Sequence, residues 1–315
     1  MKALQETLDR LVGDGVLTAQ QAEAVSAGAK AERSRRRISP LVEVGGYLGG
    51  ALAGVSAIAV LERFWDQLTS GGQVGLLALA AAALWAAGRW VVGDTEPAVR
   101  RLVGVLWLLS TATATAAAGV AAAELADLSD ERVALVASLV AVVHAGWLWR
   151  VTRGALQQIA LFVGAMALGV SGLAQFEAPP EEWFGLLVWA LALSWALLTW
   201  GGLVAPARTG YVLGGLGMIA GAETLHVSTQ EHVGLALGLV TALALFAAAA
   251  ALQQLVTAGL GIVATTIFLP QALIRWFGDT VDAPLIVFFV GVVILAGALF
   301  AVRVARADEE VTSRA

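Results

Sequence analysis

Two glutamates and two histidines crowd the stretch AETLHVSTQEH as Glu223, His226, Glu231 and His232. Imidazole nitrogens and carboxylate oxygens are ligands that zinc or a similar ion accepts, which makes Glu223, His226 and His232 the metal candidates of the chain. Their spacing matches no established zinc motif, because Glu223 and His226 form a single i,i+3 pair and the other two lie beyond a turn. The competing reading is a solvated acidic loop, and on that reading neither metal nor cofactor is expected. Glu62 and Glu124 fall at a comparable depth and join the ligand or ion candidates. So do Gln271 and Arg275 near Pro270, where a broken helix would free carbonyls for a ligand.

Catalytic motifs are not found. There is no Ser-His-Asp order, nucleophile elbow, HExxH or phosphate loop, and Glu177, Glu181 and Glu182 around Pro179-Pro180 read as a solvated turn. The expected protein is not an enzyme. Cysteine does not occur, which removes disulfides and thiolate chemistry. Nucleic-acid binding has nothing behind it except one short basic run.

The elements that must carry these side chains follow from composition. Hydrophobic residues make up 59% of 315 positions and charged residues 14%, with a mean hydropathy of +0.81. A soluble domain is closer to half apolar and a quarter charged, so this is a membrane-protein composition. Apolar runs long enough to cross a hydrocarbon core, about 20 residues each, are expected at 40–61, 73–92, 99–123, 132–150, 155–176, 183–204, 209–225, 232–252, 255–275 and 284–304.

Charge gives the orientation. With the N-terminus inside, all nineteen basic residues except Arg63, Arg132 and Arg275 fall on the cytoplasmic side, as the positive-inside rule requires. Glu62, Asp66, Asp127, Asp130, Glu177, Asp279 and Asp282 fall outside. Both termini are therefore expected in the cytoplasm of a bacterial cell, with the chain in the plasma membrane and no cleaved leader. Inside the spans, ionisable groups are costly and by default functional. Glu43 suits the N-terminal dipole of the first span, and His144 in the fourth is either a proton relay or a hydrogen-bonded or interfacial histidine.

The run GGYLGGALAG, residues 45–54, follows RRRISPLVEV and lacks the strand and the Gly-Lys-Ser/Thr ending of a phosphate loop. Its glycines recur every four residues and predict a helix face packed closely in lipid. Each out-going helix ends in a polar residue, Glu62, Glu124, Gln175, Glu223 or Arg275, at a roughly fifty-to-sixty-residue period that suggests repeated units. The expected fold is all-α, a polytopic bundle of about ten transmembrane helices arranged as five helical hairpins. Two inverted five-helix halves remain the alternative. Glycine collects in the out-going helices and tryptophan in the returning ones, which places the former nearer the centre.

The domain reading is 1–38 as a cytosolic helical hairpin with a basic linker, 39–306 as the transmembrane domain, and 307–315 as a cytosolic tail. In the hairpin, Leu4, Leu8, Leu11 and Val12 precede a Gly13-Asp14-Gly15 turn, and Thr18 with Gln21 forms a capping box. So short a unit buries no self-sufficient core, so a second copy, a cytosolic protein or membrane lipid is its expected partner. Arg33, Arg35, Arg36 and Arg37 are candidates for lipid headgroups.

The order of LTAQQAEAV, a basic linker and ISPLVEVGGYLGGAL, followed by hydrophobic hairpins, resembles the bacterial membrane-protein family of unknown function numbered 2157, mainly over residues 1–60. The resemblance implies architecture alone and supplies no catalytic residue. Two functions fit: a transporter or channel for a small solute or lipid, and a membrane scaffold or sensor acting through its cytosolic hairpin.

Overall fold

The computed structural model describes residues 2–36, 63–93, 97–228, 230–277 and scattered positions between 284 and 297. Glu43, Glu62, Arg37, the GGYLGGALAG run and most of the tenth expected span lie outside the described residues. The chain divides into two compact units, 1–68 and 69–315.

In the first unit, α1 (Lys2–Gly13) and α2 (Ala19–Arg36) pack as a hairpin around Leu8. Gly15 takes the left-handed φ of +71° that the turn between them needs. The capping box forms as expected: the Thr18 N–H donates to Gln21 Oε1 at 2.9 Å and the Gln21 N–H to Thr18 Oγ1 at 3.2 Å. Val16 and Val25 stay exposed on this unit. Arg33, Arg35 and Arg36 occupy the last turns of α2.

The second unit is a bundle of α3 (Ser70–Val91), α4 (Pro97–Val120), α5 (Asp130–Thr152), α6 (Ala155–Leu173), α7 (Glu181–Trp200), α8 (Ala207–His226), α9 (Glu231–Leu252) and α10 (Leu255–Phe277). A π-helical turn, Ala121–Leu125, ends α4. Among the described residues there is no strand, and seven helices are long and apolar enough to cross a membrane: α3, α4 with its π-helical end, α5, α6, α7, α9 and α10. This is a multi-pass membrane protein. The helix at the seventh expected span, α8, is not among the seven. Gly210, Gly214, Gly215, Gly217 and Gly221, together with terminal Arg208, Glu223 and His226, dilute its apolar character.

The helices that pack most extensively are α3 with α4, α5 with α6, α7 with α8 and α9 with α10. These pairs are joined at the end carrying Arg89, Arg100, Arg150 and Arg208, the basic end. The sequence reading had pairs joined at the opposite, acidic end, so the observed hairpins are out of phase with it. Two of the four basic-end connections, 153–154 and 253–254, are two residues long. Arg153 and Gln253 adopt left-handed φ values of 46° and 53° and turn the chain within a residue or two.

Burial is concentrated in α8, α9 and α10, whose Met218, Ile219, Leu235, Leu245, Phe268 and Ala272 share one core with Phe162 of α6 and Ala192 of α7. In hydrocarbon, helices associate through close packing and not through expulsion of water, and here glycine permits it. A Cβ on Gly185 would stand 2.7 Å from the Leu225 nitrogen, and one on Gly221 would stand 2.5 Å from the Trp189 nitrogen. The backbones of α7 and α8 touch. A polar tie adds to this: Trp189 Nε1 donates to Thr241 Oγ1 at 2.9 Å, linking α7 to α9. A smaller core joins Val103, Trp107 and Leu148 of α4 and α5.

Gly221→Ala is expected to cost about 1–3 kcal/mol, the usual range for overpacking, because its methyl group would meet backbone that cannot rotate away. Gly172→Ala, where a Cβ meets nothing within 4 Å, is expected to be neutral or slightly stabilising. Reversible unfolding in mixed detergent–SDS micelles compares the two, and equal effects would mean that α7 and α8 are not held by backbone contact.

Candidate functional site

The polar residues at the acidic end act first as clasps. Each basic-end hairpin is open at this end, and in three of the four a polar pair closes it. Ser70 Oγ at the start of α3 donates to Glu124 Oε2 at 3.4 Å. Gln175 Nε2, just past α6, donates to the Glu131 carbonyl of α5 at 2.9 Å. Arg275 Nε of α10 meets Glu231 Oε2 of α9 at 3.0 Å, with both side chains about half exposed. The α7–α8 pair has its glycine crossing at the same level instead. The periodic polar residues thus fall once per hairpin because each hairpin has one open end.

Glu223, Gln271, Glu231, Arg275, His226 and His232 are brought together on α8, α9 and α10. Gln271 Nε2 approaches Glu223 Oε1 at 3.5 Å, the His226 ring lies 3.3 Å from the Glu231 carbonyl through Nδ1, and Trp276 Nε1 donates to His232 Nδ1 at 3.2 Å. Among the described residues no group of three or more His, Asp or Glu that could hold a metal ion is found, and Nδ1 of His226 and Nδ1 of His232 lie against a carbonyl and an indole N–H. Helix α10 also runs unbroken through Pro270, contrary to the break expected there. Two buried oxygens, Glu223 Oε2 and Gln271 Oε1, have no hydrogen-bond partner. Both are acceptors, so this pocket of polarity suits a donor such as a water or an ammonium group.

Deeper in the bundle the hydroxyls are occupied. Thr111, Thr115, Thr199, Thr241, Thr265 and Thr266 each donate to the carbonyl four residues back on their own helix, and Ser110 donates to the Ala81 carbonyl at 2.8 Å. His144 borders a shallow groove of about 250 Å³ with Trp85, Ser110 and Trp147. The two indoles stack at 5.7 Å. His144 Nδ1 is buried without a hydrogen-bond partner, so the hydrogen-bonded histidine expected from the sequence is not found at that nitrogen.

A concavity at the opposite end of the bundle has no counterpart among the sequence expectations. At the basic end a cavity of about 720 Å³ opens between α4, α5 and α6 and is lined by Arg100, Arg101, Arg153, Gly104, Gln157 and Pro206, among others. No acidic side chain occurs among the described lining residues. The first turn of α4 carries two of these arginines and no acid. Helix α6 starts at the cavity from Gly154, which has no side chain to cap it. Both helix N-termini add positive potential. The Arg153 guanidinium lies over the Trp149 ring at 5.8 Å.

Two adjacent, fully buried glutamines on α6 hold the floor and the rim. Gln157 Nε2 donates to the Gly104 carbonyl at 2.9 Å, and its Oε1 has no partner. Gln158, with its amide oriented by its neighbours, donates to the Pro206 carbonyl and accepts from the Gly210 N–H, each at 3.1 Å. Trp149 Nε1 fixes the same connection through the Ala205 carbonyl at 2.8 Å. The signal in the sequence was the pair Gln157-Gln158 inside an otherwise apolar run, and it was passed over. No known protein family, no curated protein and no solved structure matches the chain.

Glu223→Gln is expected to raise stability by about 1 kcal/mol. An amide at this position can donate to Gln271 Oε1 and accept from Gln271 Nε2, satisfying both orphaned groups. Loss of stability in the same micelle unfolding assay would show that the carboxylate is held by something the amide cannot replace.

Proposed function

We propose that the protein is a non-enzymatic membrane protein that binds a phosphate-bearing lipid at its basic end, the lipid-handling form of a transporter or channel. The observation carrying this reading is the cavity of about 720 Å³ with Arg100, Arg101 and Arg153 on its walls. The guanidiniums of Arg100 and Arg153 suit a phosphodiester, since arginine matches its oxygens two at a time. The depth agrees. Trp90 and Trp200, at the same end, are 92% and 70% exposed, and exposed indoles mark the headgroup level. A soluble polar solute is less well served, because the threonine hydroxyls along the described helices are tied to their own backbones.

In this reading the chain crosses the bacterial plasma membrane ten times, with the basic end and both termini in the cytoplasm. The first and tenth crossings are the apolar runs 40–61 and 284–304. Membership of the family numbered 2157 remains part of the proposal and rests on the motifs in residues 1–60.

A second reading has one observation behind it. Val16 and Val25, 66% and 48% exposed on the N-terminal hairpin, give that unit an apolar surface suited to a second copy or a cytosolic protein. The protein would then be a scaffold.

Native mass spectrometry of the purified protein is expected to show a retained anionic phospholipid. Arg100→Gln with Arg153→Gln should lower that retention about tenfold, from the roughly 1.5–3 kcal/mol carried by a hydrogen bond to a charged group. Unchanged retention in a folded double variant would sink the lipid reading.

A further inference from the structure

We propose that Gln157 makes the basic-end cavity selective for a phosphate ester that also carries a hydrogen-bond donor, a hydroxyl or primary ammonium group beside the phosphate. The inference rests on the reading of this cavity as a phosphate site. Gln157 is fully buried, lines the cavity and has a carbonyl oxygen with no partner. The other half of its amide fixes the orientation. Its Nε2 donates to the Gly104 carbonyl at 2.9 Å, and exchanging the two atoms would set carbonyl against carbonyl. The unpaired group is therefore an acceptor.

A buried acceptor without a donor costs about 1–3 kcal/mol, and an ionised phosphodiester cannot relieve it, since it too only accepts. The group that completes this site must bring its own N–H or O–H. Gln158 is a useful contrast: one residue along, buried to the same degree, it has partners on both amide atoms. The vacancy is thus specific to the glutamine that faces the cavity. The volume of about 720 Å³ lies within the ordinary range for small-molecule sites, roughly 300–1,000 Å³, and leaves room for more than a bare phosphate. Arginine walls for the phosphate and an amide acceptor at the floor together describe a glycerol or ethanolamine headgroup, or a free ester of the same kind.

The test uses the full chain in phosphatidylcholine nanodiscs doped with equal amounts of phosphatidylglycerol and phosphatidylethanol. Both carry one negative charge, and only the former has free hydroxyls. Native mass spectrometry after release from the disc reads the ratio retained. The wild type is expected to favour phosphatidylglycerol about five- to tenfold, and Gln157→Met, similar in length and unable to accept well, should bring the ratio to one. The comparison within the wild type stands even if the variant fails to fold. Equal retention of the two lipids by the wild type overturns the inference and leaves the phosphate reading standing. Retention of neither overturns both. Displacement of phosphatidylglycerol by millimolar sn-glycerol 3-phosphate supports the same site chemistry with a soluble source, whereas lipid that resists displacement supports the headgroup.

Discussion

The backbone contact between α7 and α8 is the constraint on which the rest of the bundle depends. Lipid tails solvate leucine as well as another leucine does, so apolar area alone holds no two helices together in a membrane. Dispersion across surfaces that fit closely must serve instead. Gly185 and Gly221 let two helix backbones meet, and Gly238 gives the ring of fully buried Phe268 a flat wall. Around that contact α9 and α10 complete the densest part of the fold. At the other end of the same two helices, Gln158 and Trp149 grip the connection at Pro206 from the neighbouring hairpin. The rim of the basic-end cavity therefore includes the connection between these helices.

A membrane interior makes unpaired polar atoms conspicuous. Most hydroxyls described there are satisfied by the helix that carries them, and backbone groups by helical bonds. Among the described residues the buried side-chain atoms left over are Gln157 Oε1, His144 Nδ1, Trp195 Nε1, Glu223 Oε2 and Gln271 Oε1. They are not spread at random. Gln157 and His144 border concavities between α3 and α6, and Glu223 and Gln271 face one another at the acidic end. The α7–α10 half holds the Glu223–Gln271 pair at its acidic end and one indole nitrogen, Trp195 Nε1, beside Phe162. The two unpartnered atoms that border concavities belong to α5 and α6.

What the sequence made legible follows from which signals are local. Apolar length, the Thr18–Gln21 capping box and the charge asymmetry between loops each depend on neighbours in the chain. All three could be read from letters. The phase of the hairpins could not, because spacing gives the period of the polar residues and not which helices they join. Glu124, Gln175 and Arg275 turned out to close hairpins from the open side, a role that needs Ser70, Glu131 and Glu231 across the gap. Arg100, Arg101 and Arg153 were legible as flanks that orient the chain. That reading is one-dimensional. It assigns arginines to a side of the membrane and is silent on whether they converge, which is decided by the packing of α4 against α5 and α6.

The same arginines can meet both demands, and this explains why a lipid site should sit where the topology signal is strongest. Cationic side chains gather at the cytoplasmic ends of helices because anionic headgroups and the membrane potential favour them there. Two helix N-termini at this cavity would normally favour acids in their first turns, yet α4 carries arginines in that position and α6 begins without a charged side chain. On the proposed lipid reading, an anion between the termini and the guanidiniums of Arg100 and Arg153 is favoured by both. The membrane supplies that anion at the right depth and at high local concentration. On that reading, a phosphate from the surrounding leaflet is the group that completes the basic end of a fold closed elsewhere by glycine and clasped by single polar pairs.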